Sequence, residues 1–407
     1  MGREEWKETT LGEICEVIRR GKQPKYVPDG LPVVNQKCIR NDRVLRQEHL
    51  RYTDTEQVKV PEVLYLRDGD VLVNSTGTGT VGRSALVADL DGELTLDSHV
   101  TLLRPNTDLV LGDYLFADVL MKEKDLVNAA TGSTNQVELS AKSIKALSVN
   151  LPPLDEQREI VRLLQSVDLL IEAGDREISS AEQMRIDVRQ ILLREAEEQW
   201  GVTSIADFTT FASGGAFPHK FQGKESGEYP FFKVSDMNDP ANYPSMGVSA
   251  NWIDEDVRAE LKAKIHPEGT VIFPKVGAAL KTEKRRILER PSAFDNNIMG
   301  LIPTEDADSF FIFMAMENVE LGPMSNPGPV PSVNQNTIRR VEIPAAPLEE
   351  QEKIVEKMQT LDAYLESAKR SQEALKQVRK DALHALLSGD KGVRELAEMF
   401  AADDYVA

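Results

Sequence analysis

The chain has 407 residues, of which 41% are hydrophobic and 28% are charged, a composition typical of a soluble globular protein with two or more domains. Its two cysteines, Cys15 and Cys38, argue against a disulfide framework or a cysteine zinc site and favour a reducing compartment. The first residues lack an apolar signal region, and no apolar run approaches the length of a membrane span, so we expect a cytoplasmic protein. The net charge of −19 is unfavourable for binding nucleic acid unless basic residues are concentrated locally.

One segment of the sequence occurs twice. Residues 154–161 read LDEQREIV and residues 348–355 read LEEQEKIV, and each copy follows prolines and opens a long run without proline. The copies are offset by 194 residues (348 − 154). This offset predicts one unit of about two hundred residues that is present twice in the chain.

The first unit begins near Trp6 and consists of short apolar runs separated by turn residues. A loop rich in serine, threonine and glycine follows the second strand, and a similar loop precedes the last one. The pattern predicts two short strands within 64–73 that are separated by a turn at Asp68-Gly69, further strands around 85–87, 100–103 and 147–151, and a helix around 114–125.

The second unit repeats this plan with small insertions. Trp200 corresponds to Trp6, Gly215 corresponds to Gly21, and the apolar run after Gly269 corresponds to the one after Gly69. The polar loop residues, in contrast, differ between the units. A repeat that keeps its core pattern and changes its loops suggests two sites of one kind with different specificities.

A long helix should follow each copy of the repeated segment, because proline before the first turn and acidic residues within it are helix-start signals. Steps of four and three residues then trace an apolar heptad seam on each helix. The seam positions are Ile160, Leu164, Val167 and Ile171 in the first copy and Ile354, Met358, Leu361 and Leu365 in the second.

Two helices with such seams can bury them against each other, so we infer a parallel or antiparallel helix pair. The alternative is that each helix packs separately on its own globular domain. Arginine interrupts both seams at equivalent positions, Arg185 and Arg379. A polar seam residue can set the register of a coiled coil, although these side chains could also extend outward to solvent.

Motifs for catalysis are weak. Residues 77–82 read GTGTVG, as in dinucleotide-binding loops, but a strand is predicted where that fingerprint requires a helix. Residues 326–329 read NPGP, which begins like the adenine-extruding motif of aminomethyltransferases but lacks its stacking aromatic residue. The five histidines have no metal-like spacing. We therefore predict no catalytic residues and no metal site.

Local basic clusters and polar loops favour DNA binding instead. Each unit contains one basic cluster, and either cluster alone could be a solvated face. Lysine and arginine neutralise phosphates, whereas asparagine, glutamine, serine and threonine can discriminate base edges. The predicted contacts are Arg19, Arg20, Lys22, Lys25, Gln36, Lys37, Arg40, Ser75, Thr76, Thr78, Arg83, Ser133, Thr134, Asn135 and Gln136 in the first unit and His219, Lys220, Lys233, Ser235, Lys275, Lys281, Lys284, Arg285, Asn296, Asn297, Ser332, Asn334 and Gln335 in the second.

The combination resembles the specificity subunit of Type I restriction-modification systems. The resemblance covers nearly the whole chain and is carried by both helix-start segments and by the sequences LGE at 11–13, DGDVLV at 68–73 before Thr76-Gly77, and TGST at 131–134. The sequence departs from the family in the second unit, where residues 326–331 read NPGPVP in place of a Gly-Ser-Thr type loop.

This resemblance implies an α+β fold with two α/β target-recognition domains separated by two long helices that pair as an antiparallel coiled coil. Each domain would read one half of a split double-stranded DNA target, and the helices would set the spacer and dock two methyltransferase subunits. The domains implied are 1–153 and 200–347, the spacer helices 154–199 and 348–388, and the C-terminal tail 389–407.

The resemblance also implies that the chain has no active site and binds no cofactor itself. S-adenosylmethionine would be bound by the adenine-methylating partner, and ATP and Mg²⁺ by a motor-nuclease subunit. One alternative is a coiled-coil scaffold with two ligand- or protein-binding domains and no role in DNA binding. Another is a self-sufficient methyltransferase, against which the missing cofactor and base-extrusion motifs argue.

Overall fold

The computed structural model describes residues 6–41, 45–133, 136–326, 328–393 and 395–396. Contacts divide the chain into two compact units. Unit 1 comprises Met1–Asp175 and Arg370–Ala407, and unit 2 comprises Arg176–Lys369. Each long helix therefore contributes one part to unit 1 and the other part to unit 2.

The first half of the chain alternates short strands with short helices and then forms one long helix. In chain order, its elements are β1 (Lys7–Thr10), α1 (Leu11–Ile14), β2 (Cys15–Arg20), β3 (Tyr26–Val27), β4 (Leu31–Val34), β5 (Arg51–Thr53), β6 (Val71–Asn74), β7 (Ser84–Leu86), β8 (Thr95–Leu96), β9 (Val100–Pro105), α2 (Gly112–Met121), α3 (Glu123–Ala129), β10 (Thr131–Ser133), β11 (Gln136–Glu138), α4 (Ala141–Lys145), β12 (Ser148–Leu151) and α5 (Leu154–Trp200).

The second half follows a similar order of strands and helices, with α7 as an addition. Its elements are β13 (Val202–Ser204), α6 (Ile205–Phe208), β14 (Thr209–Ser213), β15 (Tyr229–Phe232), β16 (Ser245–Met246), β17 (Trp252–Ile253), α7 (Glu255–Leu261), β18 (Val271–Pro274), β19 (Arg286–Leu288), β20 (Ala293–Phe294), β21 (Ile298–Pro303), α8 (Ser309–Glu317), α9 (Leu321–Met324), α10 (Gln335–Ile338), β22 (Glu342–Pro344) and α11 (Leu348–Leu387).

The sheets of the two units share one arrangement, although the central sheet of unit 2 has one strand more and its second sheet one strand fewer. The central sheet has the order β2-β9-β6-β7 in unit 1 and β14-β21-β18-β19-β16 in unit 2. A second sheet contains one parallel pair in each unit, β4 with β8 and β15 with β20. The small sheets β1-β12 and β13-β22 join the first and last strands of the two globular parts. The structure thus has the repeat and the mixed helix-and-sheet class that the sequence predicted.

A buried helix covers the central sheet in each unit. In unit 1, α2 packs Tyr114 and Leu115 into the same cluster as Val71 of β6, and the Tyr114 hydroxyl donates to the carbonyl of Asn150 at 2.7 Å. In unit 2, α8 is buried almost throughout, and Phe311 and Phe313 contribute to the core. Each such side chain contributes about 1.5–3 kcal/mol by leaving water, so these helices anchor the sheets.

The predicted helix around 114–125 is divided in the structure. Residue Lys122 has a non-helical backbone (φ −88°, ψ 14°), so α2 ends there and α3 begins at Glu123. The side-chain amine of Lys122 forms an ion pair with the buried carboxylate of Asp118, four residues earlier in the chain. Sequence periodicity does not reveal this break, because both short helices carry apolar residues at compatible spacing.

The long helices pair in an antiparallel arrangement within each unit. In unit 1, Asp168 of α5 meets Arg379 of α11, and Asp175 accepts a hydrogen bond from Gln372 at 2.8 Å. Residue numbers thus rise along α5 as they fall along α11. This arrangement resolves the choice between parallel and antiparallel pairing that the seams left open, and it confirms the antiparallel pair that the family resemblance implied.

The same direction holds in unit 2, where Glu182 of α5 pairs with Lys369 and Arg185 pairs with Asp362. Each helix end also packs on a globular core. Ile160 and Leu164 of α5, for example, lie in the cluster that contains Tyr114. The two interpretations of the seams are therefore complementary, because the same apolar positions contact both a helix and a domain.

Most predicted seam residues are buried. Ile171 and Leu361 are only half-buried, near the more polar middle part of the helices. The remaining predicted positions, Ile160, Leu164, Val167, Ile354, Met358 and Leu365, are buried. Within the described residues, none of the helices is long and apolar enough to cross a membrane.

Candidate nucleic-acid interface

The polar loops of unit 1 meet where β6 ends. The backbone amide of Ser75 donates to the carbonyl of His99 at 2.8 Å, and the amide of Leu139 donates to the carbonyl of Ser75 at 2.8 Å. Thr76 forms a β-bridge with Glu138. Three segments that are distant in sequence, around residues 76, 99 and 138, therefore form one surface.

A side-chain network extends this surface to a fourth segment. The Gln36 amide nitrogen donates to the Thr76 hydroxyl at 2.6 Å, and that hydroxyl lies 2.8 Å from Nδ1 of His99. Arg40, which follows the turn that begins at Gln36, donates to the Ile39 carbonyl at 3.1 Å. We call residues 36–40, 75–80, 98–99 and 136–139 the unit 1 polar surface.

Several basic residues of unit 1 retain their charge for an outside partner. Lys22 is exposed and donates to the carbonyl of Lys59 at 2.8 Å, and Lys25 bonds the amide oxygen of Gln57. Because these acceptors are neutral, they do not cancel the ammonium charge. A phosphate group can therefore still be attracted by it.

Arg20 has a different environment, since it is half-buried and lies 2.6 Å from the Glu138 carboxylate. It also donates to the carbonyl of Leu139 at 3.3 Å. Arg20 therefore links β2 to β11 and stabilises the unit 1 polar surface. The Glu138 carboxylate partly neutralises its charge.

The predicted contact residues of unit 1 divide by exposure. Ser75 must be removed from the prediction, because it is 0% exposed and its hydroxyl pairs with that of Thr101 at 2.5 Å. Thr134 and Asn135 lie outside the described residues, and only the backbone of Ser133 and Gln136 is described. The exposed residues are Arg19, Lys22, Lys25, Lys37, Arg40 and Thr78, and the half-buried ones are Arg20, Gln36, Thr76 and Arg83.

Unit 2 brings the equivalent segments together at the end of β18. The amide of Lys275 donates to the carbonyl of Asn297, and the amide of Val333 donates to the carbonyl of Lys275, at 2.8 and 3.0 Å. Val276 forms a bridge with Ser332. We call residues 233–235, 275–277, 295–297 and 331–335 the unit 2 polar surface.

The loop in which the sequence departs from the family pattern also reaches this surface. The amide of Asn326 donates to the carbonyl of Ser332 at 2.9 Å, and the amide of Gly277 donates to the carbonyl of Pro331 at 2.8 Å. Pro327 lies outside the described residues. The NPGPVP segment thus approaches the end of β18 as the β10-β11 hairpin approaches the end of β6, although the two sequences differ.

Arg285 is the clearest correction in unit 2. Its side chain is 2% exposed, donates to the carbonyl of Met316 at 3.0 Å and pairs with Glu283 at 2.8 Å. Burial lowers the pKa of Arg285 below the usual arginine value despite that pairing. A buried guanidinium that is already bonded cannot contact a phosphate, so Arg285 supports the fold.

The other predicted residues of unit 2 are exposed or half-buried, but some of their side chains are already paired within the chain. Lys220 forms an ion pair with Glu260 at 2.7 Å, whereas Lys233 donates to the neutral Gln222 oxygen at 3.0 Å. Lys284 donates to the side-chain oxygen of Asn238. The exposed residues are His219, Lys220, Ser235, Lys281, Asn296, Asn297, Asn334 and Gln335, and the half-buried ones are Lys233, Lys275, Lys284 and Ser332.

A glycine marks the same close approach in both units. A Cβ atom on Gly21 would lie 2.2 Å from the carbonyl oxygen of Asp97, and one on Gly214 would lie 1.9 Å from that of Asp295. The counterpart of Gly21 is therefore Gly214, one residue before the predicted Gly215. No side chain fits at either place.

The glutamine of the repeated helix-start segment has a structural role that sequence reasoning missed. The Gln157 amide oxygen accepts from the backbone amide of Leu111 at 2.9 Å, and its nitrogen donates to the carbonyls of Leu109 and Pro152 at 2.9 and 2.8 Å. The side chain is 0% exposed. It ties the first turn of α5 to the loop before α2.

Gln351 makes the same three bonds in unit 2. Its oxygen accepts from the amide of Asp308 at 2.9 Å, and its nitrogen donates to the carbonyls of Asp306 and Ala346 at 3.2 and 2.8 Å. This side chain is also 0% exposed. The signal was present in the sequence, because both copies of the segment have a glutamine directly after a glutamate at the same position.

The seam arginines do not extend into solvent. Arg185 is 6% exposed and contacts Asp362 and Glu317 at 2.5 and 3.2 Å. Burial by itself would lower the pKa of Arg185, but Glu317 and Asp362 raise it above the usual arginine value. Arg379 pairs with Asp168 in unit 1. These pairs are repeat-related, since 168 + 194 = 362 and 185 + 194 = 379.

The sequence as a whole matches a known family. The profile described as "Type I restriction modification DNA specificity domain" matches residues 3–183 and 197–377. The chain is 23% identical to the putative type I restriction enzyme MjaX specificity subunit of Methanocaldococcus jannaschii, covering 95% of this chain and 93% of that protein. It is 20% identical to the MjaVIII specificity subunit of the same organism, covering 97% and 94%.

Solved structures agree with this fold. A chain from a structure described as "Structural basis underlying complex assembly and conformational transition of the type I R-M system" aligns with a TM-score of 0.62 at 17% identity, covering 95% of this chain and 98% of that chain. The Type I restriction-modification S subunit from M. genitalium aligns with a TM-score of 0.51 at 14% identity, covering 94% and 96%. The two family domains cover most of the sequence, and they favour DNA recognition over a scaffold without DNA. The chain therefore belongs to the Type I restriction-modification DNA specificity family, as its sequence resemblance predicted.

Proposed function

We propose that this chain reads a bipartite DNA target, with the unit 1 polar surface reading one half and the unit 2 polar surface reading the other. The observation that supports this proposal is a pattern of backbone hydrogen bonds that both units share at the end of one strand. The side chains on this shared backbone differ between the units. At the end of β6 this backbone presents Thr76, and at the end of β18 it presents Lys275 and Val276. One scaffold with two different surfaces is suited to two different half-sites.

Electrostatics supports the same proposal despite the net charge of −19. Exposed lysines beside the surfaces, such as Lys22 and Lys25, bond neutral acceptors and keep their positive charge. A protein that neutralises several phosphates releases counterions, so its DNA affinity falls steeply as salt rises. A scaffold that binds protein through apolar contacts would not show that dependence.

The direct test is a selection from randomised duplex DNA with the full chain co-purified with its methyltransferase partner. We expect a split motif with a fixed spacer. Exchange of residues 1–150 for those of a relative should change one half of the motif only. A chain that selected no motif at low salt would refute DNA reading and return the scaffold alternative.

The helix pair suggests how the spacer is set. Deletion of one heptad from α5 and its equivalent from α11 removes about 10 Å of helix at about 1.5 Å per residue. This length corresponds to about three base pairs at about 3.4 Å each. We expect the selected spacer to shorten by about that amount, and an unchanged spacer would refute the ruler role.

The outer face of α5 suggests a protein partner. Leu169 and Leu170 are 64% and 58% exposed, although they lie on a helix whose other exposed positions are largely charged. Exposed adjacent leucines favour a protein–protein contact, and acidic helices would repel DNA. The partners proposed are two methyltransferase subunits that bind S-adenosylmethionine, together with a motor-nuclease subunit that uses ATP and Mg²⁺. The chain itself would contribute no catalytic group.

A further inference from the structure

One turn in each unit has the same hydrogen-bonded frame. In unit 1, the Asp97 carboxylate accepts from the amide of His99 at 2.8 Å, and the His99 carbonyl accepts from the amide of Ser75 at 2.8 Å. The amide of Asp97 donates to the carbonyl of Val34 at 2.9 Å. The first two bonds hold the amide and the carbonyl of residue 99, and the third joins Asp97 to β4.

The frame recurs in unit 2 with nearly the same distances. The Asp295 carboxylate accepts from the amide of Asn297 at 2.8 Å, and the Asn297 carbonyl accepts from the amide of Lys275 at 2.8 Å. The amide of Asp295 donates to the carbonyl of Phe232 at 2.9 Å. Residues 99 and 297 are therefore equivalent positions on two rigid turns, and both side chains are exposed.

The ring of His99 is also oriented. The Gln36 nitrogen bonds both the carbonyl and the hydroxyl of Thr76, and a carbonyl can only accept, so this atom is the donor. The Thr76 hydroxyl accepts from Gln36, and its own hydrogen can be donated to Nδ1 of His99 at 2.8 Å. In that arrangement the ring hydrogen of neutral histidine is on Nε2, which faces away from Thr76.

We infer that His99 and Asn297 are equivalent base-reading positions of the two units, an inference that rests on the proposed function. The Nε2–H group of His99 is a donor for the N7 or O6 acceptors of guanine in the major groove. The amide of Asn297 offers a donor and an acceptor together, which matches the N6 and N7 edge of adenine. One position thus contributes a different base preference to each half-site.

The first test exchanges the two side chains in the full chain, co-purified with its methyltransferase partner and assayed by selection from randomised duplex DNA. His99→Asn should reduce the preference for guanine about tenfold at one position of the unit 1 half. Asn297→His should do the same for adenine in the unit 2 half. Every other position of the motif should stay as in the wild type.

A second variant tests the orientation of the ring. Thr76→Val places at this position the residue that unit 2 has at Val276 and removes the partner of Nδ1. It should weaken discrimination at the position that His99→Asn affects. An unchanged melting temperature of each variant shows that a changed preference reflects reading of the base.

The outcomes separate this inference from the proposed function. If the wild-type complex selects a split motif and the exchanged variants select the same motif, residues 99 and 297 do not read bases and the proposed function stands. A change spread over both halves would also overturn the inference. If the wild-type complex selects no motif, the proposed function fails and the inference fails with it.

Discussion

Replacement of Gln157 by leucine should destabilise unit 1 without altering its surface. The glutamine makes three hydrogen bonds to the backbone, one of them fully buried at the carbonyl of Pro152. Leucine has nearly the same volume but leaves those backbone groups without a partner. A net hydrogen bond contributes about 0.5–1.5 kcal/mol, and an orphaned buried group costs about 1–3 kcal/mol. We therefore expect Gln157→Leu to lower the free energy of unfolding by about 3 kcal/mol.

Scanning calorimetry of the full chain measures this loss. A shift of about 2–4 °C per kcal/mol is usual for a unit of this size, so Gln157→Leu should melt about 6–12 °C below the wild type. Gln351→Leu is the repeat-related replicate, because its three bonds are equivalent. Gln183→Leu is the control, since that glutamine is exposed and donates to Asp187 on the same helix; it should shift the transition by less than about 2 °C.

A glutamate at position 157 extends the test. Gln157→Glu keeps an acceptor for the amide of Leu111 but faces two carbonyls with a buried carboxylate. Burial raises the pKa of such a carboxyl, so the neutral form is favoured in the folded state. Stability should then be retained at acidic pH and lost as pH rises through the folded-state pKa. If Gln157→Leu and Gln351→Leu both melt within about 2 °C of the wild type, the reasoning about these glutamines is wrong.

Three further predictions concern the helices and a buried thiol. Arg185→Met should lower the free energy of unfolding by about 3 kcal/mol and Arg379→Met by about 1 kcal/mol, because only the ion pairs of Arg185 are deeply buried. Equal shifts in the melting temperatures of the two variants would contradict this prediction. Burial raises the pKa of Cys38 to about 11, so iodoacetamide at pH 8 should label it only after denaturation, as mass spectrometry would show. Leu169→Lys should weaken co-purification with the methyltransferase at least tenfold, whereas the exposed control Gln190→Lys should not, and equal retention by both would argue against docking at Leu169.

Much of the fold could be predicted because its signals are local. The LDEQREIV and LEEQEKIV segments combine proline, acidic residues and an apolar repeat, and the helices begin at Leu154 and Leu348, where those signals lie. Helix direction was not predictable from the seams, because an apolar stripe packs equally well against a parallel or an antiparallel partner. The contacts of Asp168 with Arg379 and of Arg185 with Asp362 settle it.

The candidate site was less predictable, because exposure depends on residues distant in the sequence. Lys275 and Arg285 belong to one basic cluster and have the same charge, yet only Arg285 is buried against the carbonyl of Met316. The five histidines have no metal-like spacing, so the sequence by itself does not single out His99. His99 is distinguished by its contact with a loop that is distant in the sequence, because the Thr76 hydroxyl of that loop lies 2.8 Å from Nδ1 of its ring.

The sequence by itself determined the duplication, the two long helices and the family, because each is written as a pattern of neighbouring residues or as a fixed offset of 194. The tertiary structure alone decided which polar residues meet. The three backbone partners of Gln157 lie up to 48 residues away along the chain, and the loops at Thr76 and Glu138 are joined by a bridge between distant segments. Hydrogen bonds act over about 3 Å, so such partners are set by how the chain packs and not by its local pattern.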